Sequence, residues 1–222
     1  MNQSLTNAEP EALFPILNFL EQDFFTLFST LNLSSQRAPL QQQRLLKYAH
    51  LLYDWNQKLN LFSPKSYHRL PFHFLDSIIL SAMLPKPPIS VLDMGSGSGL
   101  PSIILSIMNP HHKVTAVESR QKKCAFLNQA KNDLNLPNYT VIHCDINEYL
   151  HLRSIMPHAV TAKAFAPYEK LKKICLNVPK KNRPTLYVPI SKSQGSSLPK
   201  TATLHHPKKF PEHHYFSESL ST

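Results

Sequence analysis

Glycine is scarce in this chain, with four residues in 222, and there is a single tryptophan. Cysteine is also sparse: Cys124, Cys144 and Cys175 are odd in number, far apart and form no C-x-x-C pair. That excludes a disulfide framework and a thiolate metal centre, and the thiols are read as reduced, in a cytoplasmic protein. No run of about eighteen apolar residues is present, so no membrane helix is expected. The start of the chain shows no basic stretch leading into an apolar one, so no secretory signal is expected either. His205-His206 and His213-His214 are read as parts of a solvated tail, and no metal site is predicted. An apolar fraction of 42% is nevertheless enough for a proper core.

Acidic residues are the other scarce class, 14 against 24 Lys and Arg, and their distribution is uneven. The first 35 residues carry Glu9, Glu11, Glu21 and Asp23 and no base. Between Glu169 and Glu212 the pattern inverts: Lys170, Lys172, Lys173, Lys180, Lys181, Arg183, Lys192, Lys200, Lys208 and Lys209 occur with no acid. Such a run is either a solvated face or a surface for a polyanion, of which nucleic acid is the obvious one.

The few glycines are concentrated. Gly95, Gly97 and Gly99 alternate within Val91-Leu92-Asp93-Met94-Gly95-Ser96-Gly97-Ser98-Gly99-Leu100-Pro101. Glycine is required where the backbone takes positive φ or must come close to a ligand. Ile89–Leu92 before the loop reads as a buried strand, and Leu100–Met108 after it as a helix with Pro101 in its first turn. A dinucleotide fingerprint starting at Gly95 or Gly97 would need glycine at 100 or 102, where Leu100 and Ser102 stand. What is present is an acid, Asp93, ahead of three alternating glycines, with no Lys or Arg in the loop. That suits a ligand carrying an ammonium and a sulfonium better than a pyrophosphate. Lys113–Glu118 reads as the next strand, with Glu118 at its carboxyl end, where open parallel sheets bind ligands and where a carboxylate can accept both ribose hydroxyls. The loop and Glu118 together resemble the donor site of S-adenosylmethionine-dependent methyltransferases.

The prolines of Pro85-Lys86-Pro87-Pro88 divide the chain. Residues 1–85 read as a helical cap, from apolar residues at helical spacing: Leu13, Ile16, Leu17, Leu20, Phe24, Leu27 and Phe28, then Leu45 to Leu61, then Phe74 to Met83. Residues 86–190 read as an α/β domain, with a helix over 121–135 and strands over 140–144, 158–163 and 185–189. Residues 191–222 form a basic, Pro- and His-rich tail in which no element is assigned and which could complete the edge of the sheet.

Trp55-Asn56 with Asn60-Leu61, His73-x-x-Asp76-Ser77, the loop ending Gly99-Leu100-Pro101, Glu118-Ser119 with Lys122-Lys123, and Lys163-Ala164-Phe165-Ala166 occur in one order. From about residue 40 to 190 this resembles the small-subunit (16S) ribosomal RNA guanine-N7 methyltransferases, the family once called glucose-inhibited division protein B. The resemblance implies a Rossmann-like class I methyltransferase sheet behind a helical cap. It implies methyl transfer from S-adenosylmethionine to a guanine of small-subunit ribosomal RNA, free or in the 30S particle, by a monomer. It also implies donor contacts at Asp93, Gly95, Ser96, Gly97, Gly99, Leu100, Glu118, Ser119, Ile146 and Asn147. RNA contacts fall to Lys122, Lys123, Lys163 and Tyr168, with Phe165 a second stacking candidate beside its core reading. Lys163 is assigned the catalytic role, through O6 or a phosphate. It stands where the family usually carries Arg, a change that loses the two-pronged geometry and keeps a point charge. His73 and Asp76 share a helix face and either clasp the cap to the α/β domain or line the donor pocket. Two other classes stay open, a methyltransferase for small molecules or proteins, and an RNA-binding or assembly protein on the same fold.

Overall fold

The computed structural model describes residues 10–31, 33–151, 156–177, 183–195, 198–205 and 207–220. The chain divides into two compact units, one ending at Phe72 and the other starting at His73. The first is helical: α1 (Phe14–Asn18), a π-helical turn (Phe19–Asp23), α2 (Phe24–Thr30) and α3 (Ala38–Asn56). Its core is the stripe expected from helical spacing, with Leu13, Ile16, Leu20, Phe24, Leu45 and Leu52 fully buried. The Trp55-Asn56…Asn60-Leu61 signature has a local explanation here. Asn56 Oδ1 accepts the Leu61 and Phe62 N–H groups at 2.8 and 3.0 Å, and Asn56 Nδ2 donates to Tyr67 Oη at 3.0 Å. One buried amide thereby closes the turn after α3 by satisfying backbone donors that have no helical partner.

The division falls inside α4 (Leu70–Met83), earlier than the proline run. The second unit then alternates: β1 (Ser90–Met94), α5 (Ser102–Met108), β2 (Lys113–Glu118), α6 (Gln121–Asp133), β3 (Tyr139–His143), α7 (Ile146–His151), β4 (Ala159–Thr161), α8 (Tyr168–Leu176), β5 (Thr185–Ile190), α9 (Lys192–Gly195), β6 (Thr203–His205) and β7 (His214–Ser219). The sheet order is β3-β2-β1-β4-β5-β7-β6. Strands β1 to β5 are parallel, while β7 runs antiparallel to β5 and β6 antiparallel to β7. This is the Rossmann-like doubly wound arrangement predicted. Its strand order reverses between β1 and β4, which brings the loops leaving those two strands side by side.

Helix α5 is buried along its whole length, Ser102 and Ser106 included. Those hydroxyls are satisfied across the layer: Ser102 Oγ lies 2.9 Å from Tyr139 Oη, and Ser106 Oγ donates to Asn138 Oδ1 at 2.8 Å. Buried hydroxyls with partners are tolerated where orphaned ones are costly.

The tail completes one edge of the sheet, with strands where the sequence assigns no element. It carries β6 and β7, and β7 pairs with β5 from Thr185↔Ser219 to Ile190↔His214. No alternation announces β7 because Tyr215 and Phe216, which point to opposite faces, are both buried. Glu218 is buried too, held by Lys172 Nζ at 2.8 Å, Tyr168 Oη at 2.5 Å and Thr201 Oγ1 at 2.7 Å. Burial works against its charge, but these bonds and the Lys172 charge hold the carboxyl below its ordinary range. Lys172 is therefore not one of the free cations of the basic run. Lys180 and Lys181 lie outside the described residues.

Candidate active site

The loop leaving β1 uses its glycines for two different reasons. All take positive φ: +70° at Gly95, +55° at Gly97 and +84° at Gly99. A Cβ on Gly95 would overlap the Phe165 ring, and one on Gly99 would overlap the Ile103 side chain, whereas one on Gly97 would meet nothing closer than 3.7 Å. Gly95 and Gly99 are thus packing positions as well as conformational ones, and Gly97 is conformational alone. Loop and second strand are laced together, since the Gly95 and Ser96 N–H groups both donate to the Val117 carbonyl, at 2.9 and 3.1 Å. Ser96 Oγ turns inward and donates to the Asp93 carbonyl at 3.1 Å.

Glu118 stands at the carboxyl end of β2 as predicted. Its Oε2 accepts the Gly97 N–H and its Oε1 the Arg120 N–H, each at 2.9 Å. Each carboxylate oxygen has a second lone pair, so both can still accept a hydroxyl from a ligand. Asp93 is fully buried, and that desolvation pushes its carboxyl up to about 6 against the pull of hydrogen bonds from Ser102. Its Oδ2 is buried with no hydrogen-bond partner. A buried carboxylate oxygen without a donor is costly unless something cationic or a donor meets it.

The remaining predicted donor contacts are less uniform. Leu100 is half-buried and Ser119 exposed, with the Ser119 carbonyl 3.0 Å from His143 Nε2. Ile146 is buried in the core under the strand ends. Asn147 is exposed, but its backbone N–H and its Nδ2 both donate to Asp145 Oδ1, at 2.8 and 3.0 Å. The backbone bond from Asn147 is the main reason the Asp145 carboxyl lies below its usual range. Asp145 thus acts as the cap of α7, and Asn147 is its partner. Of the two lysines after Glu118, Lys122 is exposed, while Lys123 Nζ lies 3.7 Å from the Cβ position of Gly97. The fold therefore supplies the glycine loop with the cation that the loop's own sequence lacks.

The largest departure from expectation is Lys163. Expected against O6 or a phosphate, its ammonium is buried and pairs with Asp76 Oδ2 at 2.7 Å. The physical reason is that α4 presents a carboxylate to the end of β4, and a charge removed from water takes the nearest opposite charge. Asp76 in turn takes His213, whose Nδ1 lies 3.3 Å from Oδ1 and, facing a carboxylate, must carry the proton there. Tyr215 Oη donates to the Asp76 carbonyl at 3.0 Å. Burial opposes the Asp76 charge, but the His213 bond and the Lys163 charge prevail and lower its carboxyl below its ordinary range. His213, read as solvated, is completely buried in this cluster. Sequence reasoning missed His213 and Tyr215; their spacing of two, which puts both on one side of an extended segment, is the signal that was available. After Lys163 the chain turns through Ala164 at φ +53°, and Phe165 then meets Gly95. Tyr168, expected to stack on a base, is instead half-buried, edge-on to Phe216 with 5.3 Å between centroids, and bonded to Glu218 and Lys172.

The glycine loop, Glu118 and the Phe165 loop thus converge at the reversal in strand order. Among the described residues no group of three or more His, Cys, Asp or Glu could hold a metal ion. A family-wide sequence profile, that of rRNA small subunit methyltransferase G, matches residues 41–204. The chain belongs to this family. The rRNA small subunit methyltransferase G family also supplies individual relatives. The Ribosomal RNA small subunit methyltransferase G of Staphylococcus aureus strain Newman is 36% identical over 165 residues, 72% of this chain and 67% of the relative. That of strain JH9 is 37% identical over 160 residues, 70% of this chain and 65% of the relative. Among solved structures, MtNAS in complex with MTA and tNA aligns over 96% of this chain and 90% of its own, with a TM-score of 0.52 at 15% identity. That likeness concerns the fold alone.

Proposed function

We propose that this chain transfers a methyl group from S-adenosylmethionine to N7 of a guanine in small-subunit ribosomal RNA, acting as a cytoplasmic monomer on the 30S particle. The observation that carries the reading is the pairing of three positive-φ glycines with Glu118 beside the end of β4, in a chain of this family. The residues fit the donor. Asp93 Oδ2, buried and unpartnered, suits a cationic group or its hydrogen-bonded water, and the Glu118 oxygens keep lone pairs for ribose hydroxyls. Ser119, Leu100 and Ile146 would border the adenosine. When bound, the donor supplies a methyl group activated by its sulfonium.

Guanine N7 has an in-plane lone pair free at neutral pH, so the protein needs no general base. Its task is to hold N7 in line with the methyl group, a contribution that proximity alone brings to several kcal/mol. Phe165, which meets the glycine loop, is the side chain best placed to border the acceptor base. The exposed cations Lys122, Lys170 and Lys173 offer contacts for the RNA backbone, and binding through them weakens as salt rises.

Calorimetry with S-adenosylmethionine, followed by methyl transfer onto 30S particles from an undermethylated strain and mapping of the modified base, tests the reading. Donor binding with a new N7-methylguanine supports it. Donor binding with methylation of a protein or small molecule instead, or no donor binding at millimolar concentration, overturns it.

A further inference from the structure

Lys163, Asp76, His213 and Tyr215 come from the end of β4, from α4 and from β7 with the residue before it. They form one cluster whose members are nearly sealed from solvent: the side chains of Asp76 and His213 are 5% and 0% exposed and that of Lys163 is 16% exposed. Asp76 is the hub. One carboxylate oxygen takes the Lys163 ammonium, the other takes His213 Nδ1, and the backbone carbonyl takes the Tyr215 hydroxyl. The residue after Lys163, Ala164, takes φ +53°, a conformation that residues with a Cβ seldom adopt and that persists only where surroundings impose it. The next residue, Phe165, is the one that meets Gly95. The short loop from β4 is therefore pinned on one side by the ion pair and on the other by the glycine loop.

We propose that Asp76, oriented by His213 and Tyr215, is a positioning residue for methyl transfer that acts through Lys163. It fixes the Lys163–Phe165 loop against the glycine loop and offsets a cation that would otherwise stand uncompensated beside the acceptor. This rests on the reading of the chain as a guanine-N7 methyltransferase. As N7 forms its bond to the methyl carbon, the electron pair of the breaking carbon–sulfur bond stays on sulfur. The purine then carries the positive charge that the sulfonium had, and no proton moves. An unpaired ammonium near the end of β4 opposes that charge, and the field of a paired one falls off much faster with distance.

The test compares wild type, Asp76→Asn, Lys163→Met and the double variant in steady-state methylation of undermethylated 30S particles, alongside donor affinity by calorimetry and unfolding temperature. Asp76→Asn is expected to lower kcat about tenfold or more, less than the roughly 100- to 1000-fold loss on removing a preorganised donor that touches the reacting atoms, with KM for the particle and Kd for the donor within about twofold. The double variant has no unpaired buried charge, and is expected to be no slower than either single one. His213→Gln, which can still donate to Asp76, should lose less than His213→Ala. If wild type methylates the particle and Asp76→Asn is equally fast, the inference is overturned and the reading stands. If the losses of the two single variants multiply in the double one, Asp76 does not act through Lys163 and the inference is likewise overturned. If kcat falls only in proportion to folded protein, the cluster is structural alone and the inference fails. Wild type that binds donor but methylates no RNA overturns the reading itself, and the inference with it.

Discussion

Substituting Gly95 by alanine separates two roles that glycine plays in the loop leaving β1. At Gly97 the added methyl group has room, 3.7 Å from both the Gly95 carbonyl oxygen and Lys123 Nζ, so Gly97→Ala incurs only the backbone penalty of φ +55°. For an L-residue in this region that is roughly 1–2 kcal/mol. At Gly95 the penalty at φ +70° is similar, but the methyl group also enters the Phe165 ring, whose Cε2 is 3.0 Å away. Phe165 packs against the buried core and cannot swing clear without loss of contacts. Overpacking of this kind adds roughly 1–3 kcal/mol, for a combined total of roughly 2–5 kcal/mol. At roughly 2–4 °C per kcal/mol for a domain of this size, unfolding should shift down by about 2–8 °C for Gly97→Ala and about 4–20 °C for Gly95→Ala. Scanning calorimetry measures both, with Phe165→Ala and the Gly95→Ala/Phe165→Ala pair as controls. In the Phe165→Ala background the effect of Gly95→Ala should fall to that of Gly97→Ala. Equal shifts for Gly95→Ala in the two backgrounds would refute the assignment of Gly95 as the seat of the Phe165 ring.

Asp93 provides a pH test. Its carboxyl is raised from 3.8 in the unfolded chain to about 6 by burial, so the folded state holds the proton more tightly. Stability is therefore fully present below about pH 4, falls as pH rises through about 6, and levels above it, by about 3 kcal/mol in all. Asp93→Asn should unfold at higher temperature than wild type at pH 8, with the margin closing toward pH 4, while donor affinity drops; an advantage that does not change with pH counts against the buried charge. Asn56→Ala removes an amide that serves Leu61, Phe62 and Tyr67; a loss of about 2–4 kcal/mol in denaturant unfolding is expected, with donor affinity unmoved. For Tyr168, the contrast is between hydroxyl and ring. Tyr168→Phe deletes the bond to Glu218 and should lower stability by about 1–3 kcal/mol with methyl transfer per folded molecule intact, whereas a base-stacking role would spare Tyr168→Phe and fail in Tyr168→Ala without a change in stability.

Much of the proposed donor side is local, and for that reason legible. Strand, glycine loop and helix follow one another within the segment from Val91 to Met108, and Glu118 ends the next strand, so residue type and spacing are enough to place them. Positive φ at Gly95, Gly97 and Gly99 is a property of the backbone itself, which only glycine adopts freely. The helical stripe from Leu13 to Phe28 and the apolar runs of β1 and β2 are legible on the same ground, since burial on one face or two imprints a period on the sequence. The proposed acceptor side is built from distant segments, and no period links them. Asp76 on α4 and His213 just before β7 meet only in the fold, and the buried Tyr215 and Phe216 of β7 conceal any alternation. Lys163, Lys172 and Tyr168 read as free groups until the fold supplies Asp76 and Glu218 as their partners. The sequence by itself thus determined the fold class, the glycine loop and the chemistry that such a loop can serve. Tertiary structure alone decided which charges are neutralised and which remain exposed, because a charge taken out of water is governed by whatever opposite charge the packing brings within reach.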